Sequence, residues 1–402
     1  MNSAKTRPDG EYIEVLSDKS TGYVKESSIN DLKKVEAVIF DCDGVLIDAR
    51  NSYNKTIGKT FSFILTQLMS TKVSHNILPA NLIYSLRRTG GFNNDCDTTS
   101  AILLYTLTAL PREASERFSN FVRQISSNDF NDLKRRFDAA KGVISTWNHG
   151  FESKFREDIL PGLYKIIKKI DSSGLNSFRR VLLHELRGIN REEILYSSEK
   201  FLSHPGPMKD NLVVTIFDEI FLGRELFTNM NGRELLFNDT NGLINKETVI
   251  VRRETLDHLD ILVGREKMGI ASGRSFSSAL HTLKSLIEYF NHKALVFIED
   301  EERKLDSMDD RTRIWKPQPF SLMKALESIS DVEGIVYVGD SAEDRIMVDR
   351  VRTLRRGLSF TAVYGHTNSP RETMKSYLGD GVDIVLPTVN ELPIVLEHIR
   401  GM

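Results

Sequence analysis

Two carboxylates one residue apart, Asp41 and Asp43 in Asp41-Cys42-Asp43-Gly44, stand where the apolar run Val35-Glu36-Ala37-Val38-Ile39-Phe40 stops. A run of Val, Ile and Phe marks a strand buried on both faces of a parallel sheet. Side chains two apart in an extended chain point the same way, so the spacing predicts that the two acids converge at the strand's carboxyl edge. Like charges that close need a bound cation or a shared proton, and a hard, oxygen-seeking ion such as Mg2+ suits these donors. A carboxylate aligned by a metal becomes a useful nucleophile toward phosphorus, and a neighbouring acid can move protons.

Ligands of an open α/β sheet bind beyond the carboxyl ends of its strands, and three further strand ends carry suitable groups. Ser272-Gly273-Arg274 follows the apolar Ile270-Ala271. Gly273 lets backbone come close to a ligand, and the helix expected next offers free N–H groups to an anion. Trp315-Lys316-Pro317-Gln318-Pro319 places an ammonium before an expected helix start, where proline fits the first turn. Val336-Tyr337-Val338 runs into Gly339-Asp340-Ser341-Ala342-Glu343-Asp344, whose two acids, on the strand end and the first helical turn, suit one cation or its waters.

Asp41-Cys42-Asp43-Gly44-Val45-Leu46 resembles the first motif of the haloacid dehalogenase-like hydrolase superfamily, and Ser272, Lys316 and Gly339-Asp340-Ser341-x-x-Asp344 are similar to its second, third and fourth motifs, in family order. The resemblance implies that Asp41 takes up a phosphoryl group and that Asp43 is the general acid/base. It implies that the Ser272 hydroxyl and Lys316 bind the phosphoryl group, with Lys316 also offsetting the crowded carboxylates. Mg2+ would be held by Asp41, Asp340 and the backbone carbonyl of Asp43, with Asp344 either a direct ligand or an orienting group. Asp43 and Lys316 favour phosphoryl transfer over dehalogenation, because the metal-free dehalogenases of the superfamily lack the second Asp. The implied activity is a Mg2+-dependent phosphatase acting on a small phosphorylated metabolite through an aspartyl-phosphate. The alternatives are a phosphosugar mutase of the same superfamily and a non-catalytic binding or scaffold protein on the same core.

The elements that must position these groups are split along the chain. After the first strand, apolar residues recur at helical spacing, as in Ile57, Phe61, Ile64, Leu65 and Leu68, and helical patterns continue to about residue 230. From 247 short apolar runs alternate with helices, the pattern of right-handed crossovers and a parallel sheet. The reading is an α/β fold with a Rossmann-like core over 31–48 and 247–402. A loosely attached extension covers 1–30, and a large, mostly helical insertion over 49–246 matches the superfamily's cap. Within the insertion, Arg87-Arg88-Thr89-Gly90-Gly91-Phe92-Asn93-Asn94-Asp95 is a candidate substrate loop, with Asn93 and Asn94 as polar contacts. Together with Ser52-Tyr53 and Glu219-Ile220-Phe221-Leu222-Gly223 it resembles a subfamily, IA-like, related to phosphoglycolate phosphatases. That group favours Trp where this chain has Cys96 and has shorter caps, so the helices around 110–210 lie outside the resemblance. Arg87, Arg88 and Arg274 are candidate contacts for a second anionic group on the substrate, and Gly273 is a substrate-binding position through its backbone. His204 and His366 have no partner at catalytic spacing and read as structural, and the aromatic residues Phe118, Phe121, Phe130 and Phe137 read as core.

A chain of 402 residues exceeds one ordinary core. Its 54 basic and 56 acidic residues leave a net charge of −2, so no global basic field argues for nucleic acid. Cys42 and Cys96 are the two cysteines, which argues against a disulfide scaffold or zinc site and for a reducing compartment. No apolar run reaches bilayer length and the N-terminus lacks a signal core, so a cytoplasmic location is expected, with no membrane partner.

Overall fold

Alternation along the first core strand sends Val38 and Phe40 to one face of a sheet and Ala37 and Ile39 to the other, and all four are fully buried. A strand dry on both faces belongs in the middle of a layered α/β structure. The computed structural model of the chain, which describes residues 5–6, 11–16, 21–92, 94–125, 131–148, 150–185, 191–206, 210–305, 313–329, 331–367 and 369–401, places it there. The strands are β1 (Lys5–Thr6), β2 (Tyr12–Leu16), β3 (Thr21–Lys25), β4 (Val35–Phe40), β5 (Ile47–Asp48), β6 (Thr248–Val249), β7 (Met268–Ser272), β8 (Leu295–Phe297), β9 (Gly334–Gly339), β10 (Leu358–Val363) and β11 (Ile384–Leu386). Nine of them form one sheet in the order β1-β2-β3-β11-β10-β9-β4-β7-β8, while β5 and β6 pair as a separate antiparallel ribbon.

From β11 to β8 every pairing is parallel. The central strand β4 lies between β9 and β7, so the carboxyl ends of the strands bearing Asp41, Ser272 and Asp340 are neighbours. Helices Arg253–Val263, Phe276–Leu283 and Leu392–Arg400 cover the Val38 face, and Phe320–Glu327, Ala342–Arg352 and Pro370–Gly379 cover the Ile39 face. The chain divides into two compact units, Met1–Arg50 with Glu247–Met402, and Asn51–Lys246.

The N-terminal segment departs from the expected loose extension. β3 runs antiparallel to β11, pairing Val24 with Ile384, and β2 pairs with β3. Tyr12 donates its hydroxyl to the Val382 carbonyl at 2.8 Å. These short strands signal weakly by themselves because the edge they complete lies more than 350 residues away in sequence.

The unit Asn51–Lys246 is helical, with Tyr53–Met69, Asp95–Thr108, Arg191–Leu202 and Leu212–Asn231 packing on one another. Two pieces of the subfamily resemblance meet inside it, since the Tyr53 ring stacks on Phe221 at 4.3 Å. Gly223, at φ +75°, breaks the helical geometry of Leu212–Asn231, and a Cβ there would lie 2.5 Å from the Gly242 nitrogen. Glu219 is fully buried and accepts from the backbone N–H groups of Leu236, Phe237 and Asn238 at 2.6, 2.9 and 2.9 Å. Burial raises its carboxyl, against the pull of these donors. Glu219→Gln replaces one acceptor oxygen by a donor, so a loss of about 2 kcal/mol is expected. A lower melting temperature would register it, and an unchanged one would mean that the loop 236–238 is held otherwise. Among the described residues, no helix is long and apolar enough to cross a membrane.

Candidate active site

The chain leaves the extended conformation directly after Phe40. Leu46 and Ile47 N–H groups both donate to the Cys42 carbonyl, and the Gly44 N–H donates to the Ile47 carbonyl. This tight loop breaks the period-two alternation, so Asp41 and Asp43 do not pair their carboxylates as the spacing predicted. Asp41 turns to Lys316, whereas Asp43 turns to Arg274, with Nη1 2.8 Å from its Oδ1. Gly44, at φ +76°, lies against Asp340, and a Cβ there would sit 2.0 Å from Asp340 Oδ2. The glycine after the Asp-x-Asp pair is therefore needed both for the turn and for the carboxylate beside it.

Lys316 is the hub. Its ammonium, 1% exposed, lies 2.8 Å from Asp41 Oδ1, 2.8 Å from Asp344 Oδ1 and 2.9 Å from the Tyr337 hydroxyl. An ammonium has three N–H bonds, and here each has an acceptor. Burial alone would depress Lys316, but Asp344 and Asp41 outweigh it and hold its pKa above the ordinary value. Burial raises the Asp41 carboxyl to about 6, with Lys316 opposing the rise and Asp344 adding to it. Both of its hydrogen bonds, from Lys316 and from the Cys42 N–H at 2.8 Å, fall on Oδ1.

Helix Phe320–Glu327 begins later than expected. Pro319 is its N-cap and Pro317 precedes it in a turn closed by the Gln318 N–H and the Trp315 carbonyl, so proline is not in the first turn. Arg350 Nη1 donates to the Pro317 carbonyl at 2.9 Å and braces that turn.

Asp340 and Asp344 come from the strand end and the first turn of Ala342–Arg352. Ser341 caps this helix, and Ser341 and Asp344 form a reciprocal capping box. Single oxygens of Asp41, Asp340 and Asp344 lie within 4.8 Å of one another, a spacing that could hold a metal ion. The three are not equivalent. Asp344 accepts on Oδ1 from Lys316 and Tyr337, and on Oδ2 from the Ser341 hydroxyl and from the Ser341 and Asp340 N–H groups. With both oxygens engaged, Asp344 suits an orienting role.

Ser272 ends β7 and is 1% exposed, and its hydroxyl has no hydrogen-bond partner among the described residues. A buried orphan hydroxyl is costly and marks a place where a ligand oxygen would be welcome. Gly273 follows in the bend after the strand, and its carbonyl accepts from the Glu299 N–H at 3.3 Å. Arg274, expected as a contact for a second anionic group, is buried instead. Its guanidinium is engaged by Asp43, Glu247 and Ser278.

The insertion's candidate contacts also have structural partners. Asn94 caps helix Asp95–Thr108, accepting from the Cys96 and Asp97 N–H groups, and Arg87 pairs with Asp95 at 2.7 Å. Arg88 lies over the Tyr84 ring. Asn93 and Phe130 lie outside the described residues, while Phe118 and Phe137 are buried. His204 bonds Asp97 at 2.6 Å and Asn211 at 2.9 Å, and His366 bonds Asp48 at 3.2 Å. These histidines do have carboxylate partners, at sequence separations that spacing could not reveal.

Sequence reasoning passed over Tyr337 and Glu247. Tyr337 reads as one more apolar strand residue, yet its hydroxyl meets Lys316, Asp344 and the Ala271 carbonyl. Glu247 reads as the start of a segment, yet it is buried against Arg274.

No family model matches the chain, and no curated protein matches it. Among solved structures, an X-ray structure of a Northeast Structural Genomics Consortium target is 17% identical, covering 91% of this chain and 99% of its own, with a TM-score of 0.57. At that identity the likeness bears on the fold alone. A second, Phosphatase Tt82 from Thermococcus thioreducens, is 20% identical, covering 90% of this chain and 98% of its own, with a TM-score of 0.46.

Proposed function

We propose that this chain is a Mg2+-dependent phosphomonoester hydrolase of the haloacid dehalogenase-like type, acting on a small phosphorylated metabolite. The observation that carries the reading is the buried ammonium of Lys316 bonded to both Asp41 and Asp344. The buried Ser272 hydroxyl, without a hydrogen-bond partner among the described residues and on the strand adjacent to the one that Asp41 follows, supports it. The insertion Asn51–Lys246 is then the cap that the resemblance implies.

In this reading Asp41 attacks through Oδ2, the oxygen that accepts no hydrogen bond from the described residues, while Lys316 and the Cys42 N–H hold Oδ1. The bond from phosphorus to the leaving oxygen breaks as the aspartyl-phosphate forms, and Asp43 delivers a proton to that oxygen. Asp43 then takes a proton from water as the water attacks phosphorus, releasing phosphate and restoring the Asp41 carboxylate. Ser272 donates to a phosphoryl oxygen, and Lys316 balances the charge that the carboxylates and phosphoryl group bring together. Asp41 and Asp340, with the Asp43 carbonyl, would hold Mg2+, and Asp344 keeps Lys316 and the Asp340 backbone in place. Bound Mg2+ would supply charge neutralisation at the phosphoryl oxygens.

The test is release of inorganic phosphate from p-nitrophenyl phosphate and from a panel of phosphorylated metabolites, with and without Mg2+. Metal-dependent release supports the reading, and a flat panel contradicts it. Protons supply a second check. A carboxyl raised to about 6 must lose its proton before it can ligate, so Mg2+ affinity is expected to weaken about tenfold per pH unit below that value. Calorimetric titration at pH 5 and pH 7.5 measures this, and equal affinities would remove Asp41 from the ligand set.

A further inference from the structure

Arg274 and Glu247 form a fully buried ion pair one contact away from the reacting groups. Arg274 Nη2 lies 3.0 Å from Glu247 Oε2, and both side chains are 0% exposed. The other end of the same guanidinium faces outward, with Nη1 2.8 Å from Oδ1 of Asp43, whose side chain is 36% exposed. The remaining edge is fixed too, because Nε donates to the Ser278 hydroxyl at 3.1 Å and Thr282 donates its hydroxyl to Glu247 at 2.7 Å. The planar fork of an arginine holds two carboxylates on separate nitrogens in one rigid plane, where a lysine offers a single rotatable ammonium. Taking Arg274 and Glu247 out of water is costly, and nothing in packing a sheet against a helix requires a charge at either position.

We propose that Arg274, held by Glu247, is a positioning residue that sets the orientation of the Asp43 carboxylate for its proton transfers. The inference rests on the phosphatase reading above. Three segments far apart in sequence, at 43, 247 and 274, converge to make the line from interior to site. Glu247 immediately precedes β6, which pairs with β5, and β5 begins four residues after Asp43. The partners of Arg274 therefore sit beside the two strands of one short ribbon, so the guanidinium fixes Asp43 against an element as well as a side chain.

Steady-state turnover of p-nitrophenyl phosphate with Mg2+ tests this in the full chain, comparing wild type, Arg274→Gln and the double variant Arg274→Gln/Glu247→Gln. Arg274→Gln alone takes the guanidinium away from the buried Glu247 carboxylate, so the melting temperature should fall. The double variant removes that charge and should regain most of the loss. If Arg274 positions Asp43, kcat falls about 100-fold in both variants while KM changes less than about threefold, because misplacing a proton-transfer group by an ångström costs that much. Recovery of kcat along with the melting temperature in the double variant would overturn the proposal and leave the pair a structural anchor. Loss expressed in KM instead of kcat would overturn it in favour of substrate contact. No turnover by wild type would sink the phosphatase reading itself, and the inference with it.

Discussion

Asp41→Asn is expected to abolish phosphate release, by at least about 10⁴-fold, the scale on which removing a reacting group costs an enzyme its turnover. The substitution is conservative in every respect but one. An amide oxygen can still accept from the Cys42 N–H and from Lys316, and the volume hardly changes. What disappears is the proposed nucleophile. Stability should move the other way. A carboxyl raised from 3.8 to about 6 in the folded chain binds its proton more tightly there than when unfolded. Its stabilising share is thus present below about pH 4 and lost as pH rises through about 6. At pH 8 the amide, which has no such liability, should melt no lower than wild type. A variant that keeps its melting temperature and loses its activity separates chemistry from folding; retained activity would remove Asp41 from the mechanism.

Lys316→Met should have the largest effect on stability. The ammonium is the shared counter-charge of Asp41 and Asp344, which are 11% and 0% exposed in their side chains. Removing one partner of a buried pair costs about 3–5 kcal/mol, because the other charge is stranded. Here two carboxylates would be stranded together. Asp41, already raised to about 6, relieves the repulsion by taking up a proton, which lifts its folded-state pKa further above the unfolded one. The penalty should therefore be small near pH 5 and large near pH 8. Thermal melting at the two pH values measures it. A loss equal at both would mean that Lys316 is held by packing and not by charge. Activity should also fall, by about 10²–10³-fold, the cost of one donor that offsets charge in a transition state.

The core was legible because its signals are local. Val35–Phe40 announces a doubly buried strand through composition alone, and Asp41, Ser272 and Asp340 each stand at or immediately after such a strand end. Lys316 was legible as a charge but not as the centre. Its three acceptors come from residues 41, 337 and 344, and nothing in the sequence of a strand distinguishes a tyrosine that packs from one that bonds. The convergence of Asp41 and Asp43 failed for a definite reason: the alternation that pairs i with i+2 ends where the strand ends, and the loop after Phe40 closes on Cys42. Arg274 and Asn94 illustrate a second limit. Both are chemically apt for an anion or a polar substrate, but one is consumed by a buried glutamate 27 residues upstream and the other by the helix it starts. The N-terminal strands failed through distance, because their partner edge arrives with β11.

The proposed mechanism requires a phosphoryl group to become attached to one carboxylate. Quenching wild-type turnover with borohydride reduces an aspartyl-phosphate to homoserine with release of phosphate, and peptide mass spectrometry locates it by the loss of one oxygen and gain of two hydrogens relative to aspartate. The expected result is homoserine at position 41 only when substrate and Mg2+ are both present. Phosphate release with position 41 unmodified, or the reduced residue at another aspartate, would contradict it.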